Sequence, residues 1–244
     1  MGEYLIKKVF KNIEISNGIF ELTIEGNFKG SAGQFYMLRS WDYEPLLSRP
    51  ISIHNIDDSI PFLYQSLGQG TKLLAKLKSG DEVKLLGPLG NGFPLEAITG
   101  KVAVVTGGMG IAPMNYACQM LNAKQVDLYC GFKDESYGVR NIQNIVSNVY
   151  IATESGKEGY KGFVTGIFKA EKYDVVICCG PEVMMQKVAA LCSQVAVPIY
   201  VSMEKHMACG VGACLGCTCK TIRGNKRACK DGPIFLADEV IFDA

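Results

Sequence analysis

The sequence predicts two domains and a short tail: an antiparallel β-barrel, an α/β domain on a parallel sheet, and a cysteine-rich C-terminal segment. Three observations carry this. Across residues 1–97, short alternating apolar runs are separated by Gly, Asn, Asp and Pro, the mark of several short strands joined by turns. Across 98–202, compact apolar strands alternate with helical stretches, the pattern of a parallel sheet covered on both faces. Across 203–244 the periodicity fades and cysteines accumulate, five of the chain's ten falling between Cys209 and Cys229.

In the barrel, strands are expected over Tyr4–Phe10, Ile13–Ile15, Ile19–Ile24, Gln34–Arg39, Ile51–Asn55, Ile60–Ser66 and Glu82–Leu86. Leu73, Leu74 and Leu77 recur at helical spacing, so a helix is expected near Thr71–Leu77. Gly87–Phe93 reads as a domain-joining loop. In the second domain Lys101–Thr106, Gln125–Phe132, Val149–Ala152, Asp174–Cys179 and Val197–Ser202 read as strands, with helices from Pro113 to about Leu121 and over Glu182–Ser193. After Met203 little regular structure is expected.

Composition narrows the function classes. The 244 residues are 48% hydrophobic and 20% charged, ample for a hydrophobic core. Lys and Arg number 25 against 24 Asp and Glu, and the formal charge of +1 argues against a nucleic-acid surface or a polybasic membrane patch. The stretch MGEYLIKKVFKNIEI has no apolar core ending in small residues, so no export signal is expected. No apolar run approaches the ~18–20 residues of a membrane span. A cytoplasmic location is therefore expected, where clustered cysteines bind metal or do redox chemistry rather than form staples. Cys118, Cys130, Cys178, Cys179 and Cys192 stand in apolar stretches such as DVVICC and read as small core hydrophobes.

Cys209, Cys214 and Cys217 form C-x4-C-x2-C, and eleven residues separate Cys217 from Cys229. This is the order of plant-type [2Fe–2S] ligation. Four thiolates must converge on two irons from a tight loop, and Gly210, Gly212, Ala213 and Gly216 let backbone amides point at the sulfurs. A tetrahedral zinc site is the rival, although a second paired knuckle is missing around Cys229. Rieske ligation needs two histidines, and the chain has only His54 and His206, far apart. Cys219 is a spare thiol able to replace one of the four.

Lys101–Thr106 runs into Gly107-Gly108-Met109-Gly110-Ile111-Ala112-Pro113. Strand, glycine turn and a helix with Pro near its start make an anion-binding arrangement, since backbone amides and the helix dipole both favour a phosphate. Pro113 stands where G-x-G-x-x-G has its third Gly, and many such turns bind nothing. Arg49-Pro50-Ile51-Ser52 opens an apolar strand and offers an Arg and a Ser to a phosphate or a flavin edge. Gly68-Gln69-Gly70-Thr71 is a second glycine turn before a helix. Two anion-friendly turns in separate domains fit a flavin dinucleotide facing a nicotinamide dinucleotide.

Together, R-P-x-S, G-x-G-T, G-G-x-G-x-A-P and C-G-P resemble the ferredoxin–NADP reductase superfamily along nearly the full length. MACGVGACLGCTCK followed by ACKDGPIF resembles, within it, the electron-transfer subunits of NAD-dependent (class 1B) dihydroorotate dehydrogenases. The resemblance implies a ferredoxin reductase-like fold with an FAD-binding barrel over 1–97, an NAD-binding domain over 98–202 and a [2Fe–2S] segment over 203–244. By resemblance Arg49, Pro50, Ile51 and Ser52 would contact the flavin and its phosphates, Leu63, Tyr64 and Gln65 would line the flavin, and Gly70 and Thr71 would meet the pyrophosphate. Gln65 stands where related members often carry Arg. Gly107, Gly108, Gly110 and Pro113 would shape the NAD site, with Cys179, Gly180 and Pro181 beside the nicotinamide. Cys209, Cys214, Cys217 and Cys229 would hold the cluster, leaving Cys219 free. Gly159–Thr165 resembles the family's loop near the pyridine nucleotide, and the acidic pair Asp134 and Glu135 suits a free ribose hydroxyl.

A nicotinamide exchanges a hydride and an iron–sulfur cluster exchanges single electrons, so a flavin is the natural bridge between them. The resemblance implies an FMN-containing dihydroorotate dehydrogenase catalytic subunit as partner, in a heterotetramer of two of each. Electrons would pass from it through [2Fe–2S] and FAD to NAD+, in pyrimidine biosynthesis. No acid–base catalytic residue is expected. A related reductase subunit serving ferredoxin, a hydrogenase or a sulfur-reducing partner is the alternative. A zinc-stabilised redox-sensing or scaffold protein is a third reading.

Overall fold

The computed structural model describes residues 2–243. The first domain comprises β1 (Glu3–Ser16), β2 (Ile19–Glu25), β3 (Phe35–Arg39), β4 (Arg49–Ser52), β5 (Ser59–Gln65), α1 (Gln69–Leu74) and β6 (Glu82–Leu89). Its strands form one antiparallel sheet in the order β4-β3-β6-β1-β2-β5. The sheet curls towards closure just past β4, where the His54 amide donates to the Pro61 carbonyl at 3.3 Å.

Two expected runs at the N-terminus are one strand. β1 pairs with β6 through Glu3–Lys8 and with β2 from Val9 onward, and a register shift between Val9 and Lys11 bends it from one neighbour to the other. The polar Lys11-Asn12 step reads as a break in sequence but pairs in register with Thr23 and Leu22 of β2. β4 starts at Arg49, two residues before the expected start. Pro50 is tolerated there because β4 is an edge strand. The expected helix starts earlier, inside the glycine turn, and Leu74 closes the barrel interior with Leu22, Ile24, Leu38, Ile53, Ile60, Phe62 and Leu85. Each such side chain contributes about 1.5–3 kcal/mol on burial.

The second domain contains β7 (Lys101–Gly107), α2 (Met114–Met120), β8 (Gln125–Phe132), β9 (Asn148–Thr153), β10 (Tyr160–Lys161), β11 (Val175–Cys179), α3 (Glu182–Ser193) and β12 (Ile199–Ser202). These strands run parallel in the order β10-β9-β8-β7-β11-β12. Strand alternation sorts their side chains into two cores. Val102, Val104, Leu128 and Ile177 pack with Met114 and Ala117 of α2 and with the barrel. Ala103, Val105, Val176 and Cys178 pack with Met185, Val188 and Cys192 of α3 and with the C-terminal segment. Both expected helices are present, and the remaining connections are short 3-10 turns, one at Val139–Asn141 between β8 and β9 and two between β10 and β11.

The expectation of an irregular tail is corrected. β13 (Thr218–Thr221) and β14 (Gly224–Arg227) form a hairpin, and β15 (Ile234–Leu236) pairs antiparallel with β12 as an edge of the seven-stranded sheet. Strands of three or four residues are too short to show a period in sequence. They form here because β12 offers an unpaired edge and Phe235 enters the second core. Gly90–Phe93, within the loop expected to join domains, also bridges the barrel to this segment: the Asn91 amide donates to the Gly232 carbonyl at 2.6 Å. Among the described residues no helix is long and apolar enough to cross a membrane.

Candidate functional site

The order of the parallel sheet reverses at β7, since β8 lies on one side of it and β11 on the other. In such sheets the crevice beyond the strands' carboxyl ends at that point receives ligands. A cavity of about 870 Å³ opens there, between the barrel and the α/β domain. Pro50, Ile51, Ser52, Leu63, Tyr64 and Gln65 line it from the barrel, and Gly107, Gly108, Gly110, Gly180 and Pro181 from the sheet. Eleven residues singled out in sequence thus border one space.

Close backbone approach explains one of the glycines. A Cβ at Gly110 would stand 2.1 Å from the Cys179 carbonyl oxygen, so the turns after β7 and β11 touch main chain to main chain. Cys179 itself is buried beneath Gly180 and does not line the cavity. Pro113 is the N-cap of α2 and shapes the turn from behind.

Arg49, Gly70 and Thr71 make a neighbouring corner outside the cavity lining. The Arg49 guanidinium lies over the Trp41 ring at 5.7 Å and donates to the Leu47 carbonyl at 2.6 Å. It also passes over Gly70, where a Cβ would come within 2.5 Å of Arg49 Nε. The Thr71 hydroxyl accepts from the amides of Leu67 at 2.9 Å and Gly68 at 3.1 Å, closing the turn before α1. The acidic pair after β8 faces Lys157, with Asp134 at 3.6 Å and Glu135 at 3.7 Å, and Glu158 binds the Ser136 amide and hydroxyl beside them.

Sequence reasoning missed Met203–Met207, which follows β12 and lines the cavity together with Tyr137 and Phe35. Its position just past the carboxyl end of a parallel strand was the available signal. Glu204 is the notable member. Its side chain is exposed on the cavity wall, partial desolvation there raises its pKa, and the Cys179 thiol reaches its Oε1 at 3.9 Å. Burial also drives the Cys179 thiol well above its ordinary value.

The cysteines separate as the spacing suggests. Cys118, Cys130, Cys178, Cys179 and Cys192 are buried in the two cores, and burial raises all five thiols. The face of β3 turned away from the barrel interior meets the C-terminal segment, where Met37 and Leu89 pack under the loop at Gly210. There the Cys214 amide donates to Cys209 Sγ at 3.4 Å, the Gly216 amide to Cys214 Sγ at 3.5 Å, and the Cys229 amide to Cys217 Sγ at 3.4 Å. Burial acts to raise Cys209, but amides of Cys214, Val211 and Ala213 outweigh it and bring it down to about 6. Amides aimed at sulfur suit thiolates that carry negative charge. Cys219 points elsewhere: its thiol lies at the Cys217 carbonyl, is pushed up to about 11 by burial, and has Lys205 as a charged neighbour.

Comparison with known proteins gives the arrangement a family. Residues 204–241 match the iron–sulfur cluster binding domain of dihydroorotate dehydrogenase B. The chain is 55% identical over 242 residues to the dihydroorotate dehydrogenase B (NAD(+)) electron transfer subunit of Clostridium acetobutylicum, covering 99% of this chain and 98% of the relative. The chain belongs to this family of electron transfer subunits. The Clostridium perfringens subunit of the same name is 49% identical, with 98% and 99% covered. Among solved structures, the electron transfer subunit fold matches an NADH-dependent reduced ferredoxin-NADP oxidoreductase studied for flavin-based electron bifurcation. That match has a TM-score of 0.85 and 25% identity, covering 100% of this chain and 92% of the other. A ferredoxin NADP+ reductase from Neisseria gonorrhoeae with bound FAD and NADP shares the fold at a TM-score of 0.61 and 16% identity, with 81% and 92% covered. The ferredoxin reductase-like class expected from sequence is thus borne out, and the cluster-domain match decides against the zinc reading of the cysteine segment.

Proposed function

We propose that this chain carries electrons from a dihydroorotate dehydrogenase catalytic subunit to NAD+, using a [2Fe–2S] cluster and FAD within its own fold. The observation that carries the reading is β3, one strand serving two sites: Phe35 lines the cavity, while Met37 packs against the cysteine loop. Phe35 and Met37 are two residues apart and share the outer face of β3, so the cysteine loop and the dinucleotide cavity are neighbours along one face of one strand.

Together the three cofactors supply the exchange between single electrons and a hydride. The chain's residues bind, orient and shield. Cys209, Cys214, Cys217 and Cys229 hold the iron, with the Cys214, Gly216 and Cys229 amides stabilising sulfur charge. Arg49, stacked on Trp41, presents its cation beside Gly70 and Thr71 for the flavin pyrophosphate. Pro50, Ile51, Ser52, Leu63, Tyr64 and Gln65 form the flavin face. Gly107, Gly108, Gly110, Gly180 and Pro181 form the nicotinamide face, and Pro113 and the Cys179 carbonyl support it from behind. Residues 203–207 line the cavity just past the carboxyl end of β12.

The partner is an FMN-containing catalytic subunit, in a heterotetramer of two of each. Exposed Val211 and Leu215 flank exposed Cys214 and give the cysteine loop an apolar rim for that contact. The ten cysteines are all unpaired thiols, which suits a reducing cytoplasm.

The test is the chain co-expressed with the catalytic subunit. Dihydroorotate-dependent NAD+ reduction is expected, with flavin and iron in the chain and a two-plus-two mass. Cys217→Ser and Cys229→Ser are expected to lose cluster absorbance and dihydroorotate-driven turnover, while NADH still bleaches the flavin. Cys219→Ser is expected to retain both. A colourless protein, or one holding zinc without iron, overturns the reading.

A further inference from the structure

His54 stands where the two domains meet. β4 ends at Ser52, which lines the cavity on its barrel side, and the chain then passes through buried Ile53 to His54. The histidine is 1% exposed. Its Nδ1 lies 2.7 Å from the Ala112 carbonyl oxygen. A carbonyl oxygen only accepts, so Nδ1 carries the ring proton and Nε2 offers a lone pair. The Asn141 amide donates to that lone pair at 3.2 Å. The Asn115 side-chain amide donates to the His54 carbonyl at 3.0 Å. Burial lowers the histidine's pKa, which matches a neutral ring with one donor and one acceptor, both used.

These partners come from three pieces of the α/β domain. Ala112 closes the glycine turn after β7, Asn115 lies in the first turn of α2, and Asn141 ends the 3-10 turn between β8 and β9. The same glycine turn lines the cavity opposite Ser52. From Ser52 to that turn, the mechanical path is two residues, one imidazole and one hydrogen bond. Apolar packing between domains permits sliding, whereas directional bonds in a dry junction fix distance and angle.

We propose that His54, with Asn115 and Asn141, is a positioning clasp that holds the nicotinamide-side turn at a set distance from the flavin-side strand, and so sets the geometry of hydride transfer. This rests on the assignment of the two cavity faces made above. His54 touches neither ligand face itself, and acts through Ala112 on one side and Ser52 on the other.

The test uses the flavin- and iron-loaded complex with three variants: His54→Leu, which removes both ring bonds; His54→Asn, which keeps a donor at the Nδ1 position; and Asn141→Ala, which removes the exposed partner. One readout is the limiting rate of flavin reduction at saturating NADH. The second is hydrogen exchange of the 109–116 amides, followed also in the flavin-free chain. Since small misplacements of reacting groups are costly in rate, His54→Leu is expected to slow the limiting rate about tenfold or more with flavin content retained. His54→Asn should recover to within about threefold of wild type, and Asn141→Ala should lose about two- to threefold. Amide exchange at 109–116 should rise in the same order, with or without flavin. A lowered unfolding temperature with an unchanged limiting rate overturns the proposal. If His54→Leu does not fold, Asn141→Ala decides, and an unchanged rate there overturns it too. Failure of NADH to reduce the wild-type flavin sinks the face assignment, and the positioning role with it; the exchange data still report the contact itself.

Discussion

At Gly110 one added carbon is enough to disturb the site. Because its Cβ would stand 2.1 Å from the Cys179 carbonyl oxygen, Gly110→Ala has to drive the turns after β7 and β11 apart. Overpacking of this kind costs about 1–3 kcal/mol. The expected outcome is a chain of lower unfolding temperature whose flavin is no longer bleached by NADH, measured by thermal unfolding and stopped-flow absorbance. His54 gives a pH signature at the same scale. Burial lowers its pKa below the ordinary 6.5, against smaller raising effects from the Ala112 carbonyl and Glu21. As pH falls below 6.5 the unfolded chain binds a proton that the folded chain refuses, so stability present at neutral pH is lost on acidification. Urea midpoints at about pH 7.5 and about pH 5.5 should therefore fall further for wild type than for His54→Asn. Spacing and residue type made the cysteine loop of the C-terminal segment legible as the region that matches the iron–sulfur cluster binding domain. Glu204 was not, because a carboxylate after an apolar strand looks like ordinary surface until folding sets it on the cavity wall beside Cys179.

Among the elements, β15 is the least visible in sequence and the most consequential for the C-terminal segment. Three residues cannot declare a strand, and Ile234–Leu236 becomes one only because β12 has a free edge. Phe235 is 7% exposed and packs in the core shared with α3 and the cysteine loop. Phe235→Ala is expected to cost about 3–5 kcal/mol, read from urea unfolding, and to reduce iron retention. Unchanged iron retention in a destabilised variant would mean that the loop is held by the β13–β14 hairpin alone. The merger of two N-terminal runs into β1 has a related cause. Pairing with β2 carries the strand through Lys11 and Asn12, which read locally end it.

For the molecule as a whole, the two cores impose a hierarchy. One joins the barrel to the α2 face of the sheet, and the other joins the α3 face to the cysteine segment. Removing iron should leave both cores packed, since β15 pairs through backbone and Phe235 through apolar contact. The stretch from Cys209 to Cys217 has no regular secondary structure, and its thiolates would then repel one another. Chelation is therefore expected to make that loop the first site of proteolysis while far-ultraviolet dichroism changes little. Simultaneous loss of the whole sheet would contradict this order.

By itself the sequence determined the barrel, the parallel sheet, the cysteine spacing and the strand ends and glycine turns that line the cavity. Each of these is written in a local pattern: alternation, an apolar run before a glycine turn, or a ligand interval. Tertiary structure decided what brings those patterns together. The reversal of strand order at β7, the edge that β12 offers to β15, the placing of Glu204 beside Cys179 and the grip of His54 on Ala112 are contacts between segments far apart in the chain. No local period encodes them, because their free energy arises from surfaces that exist only once both segments have folded.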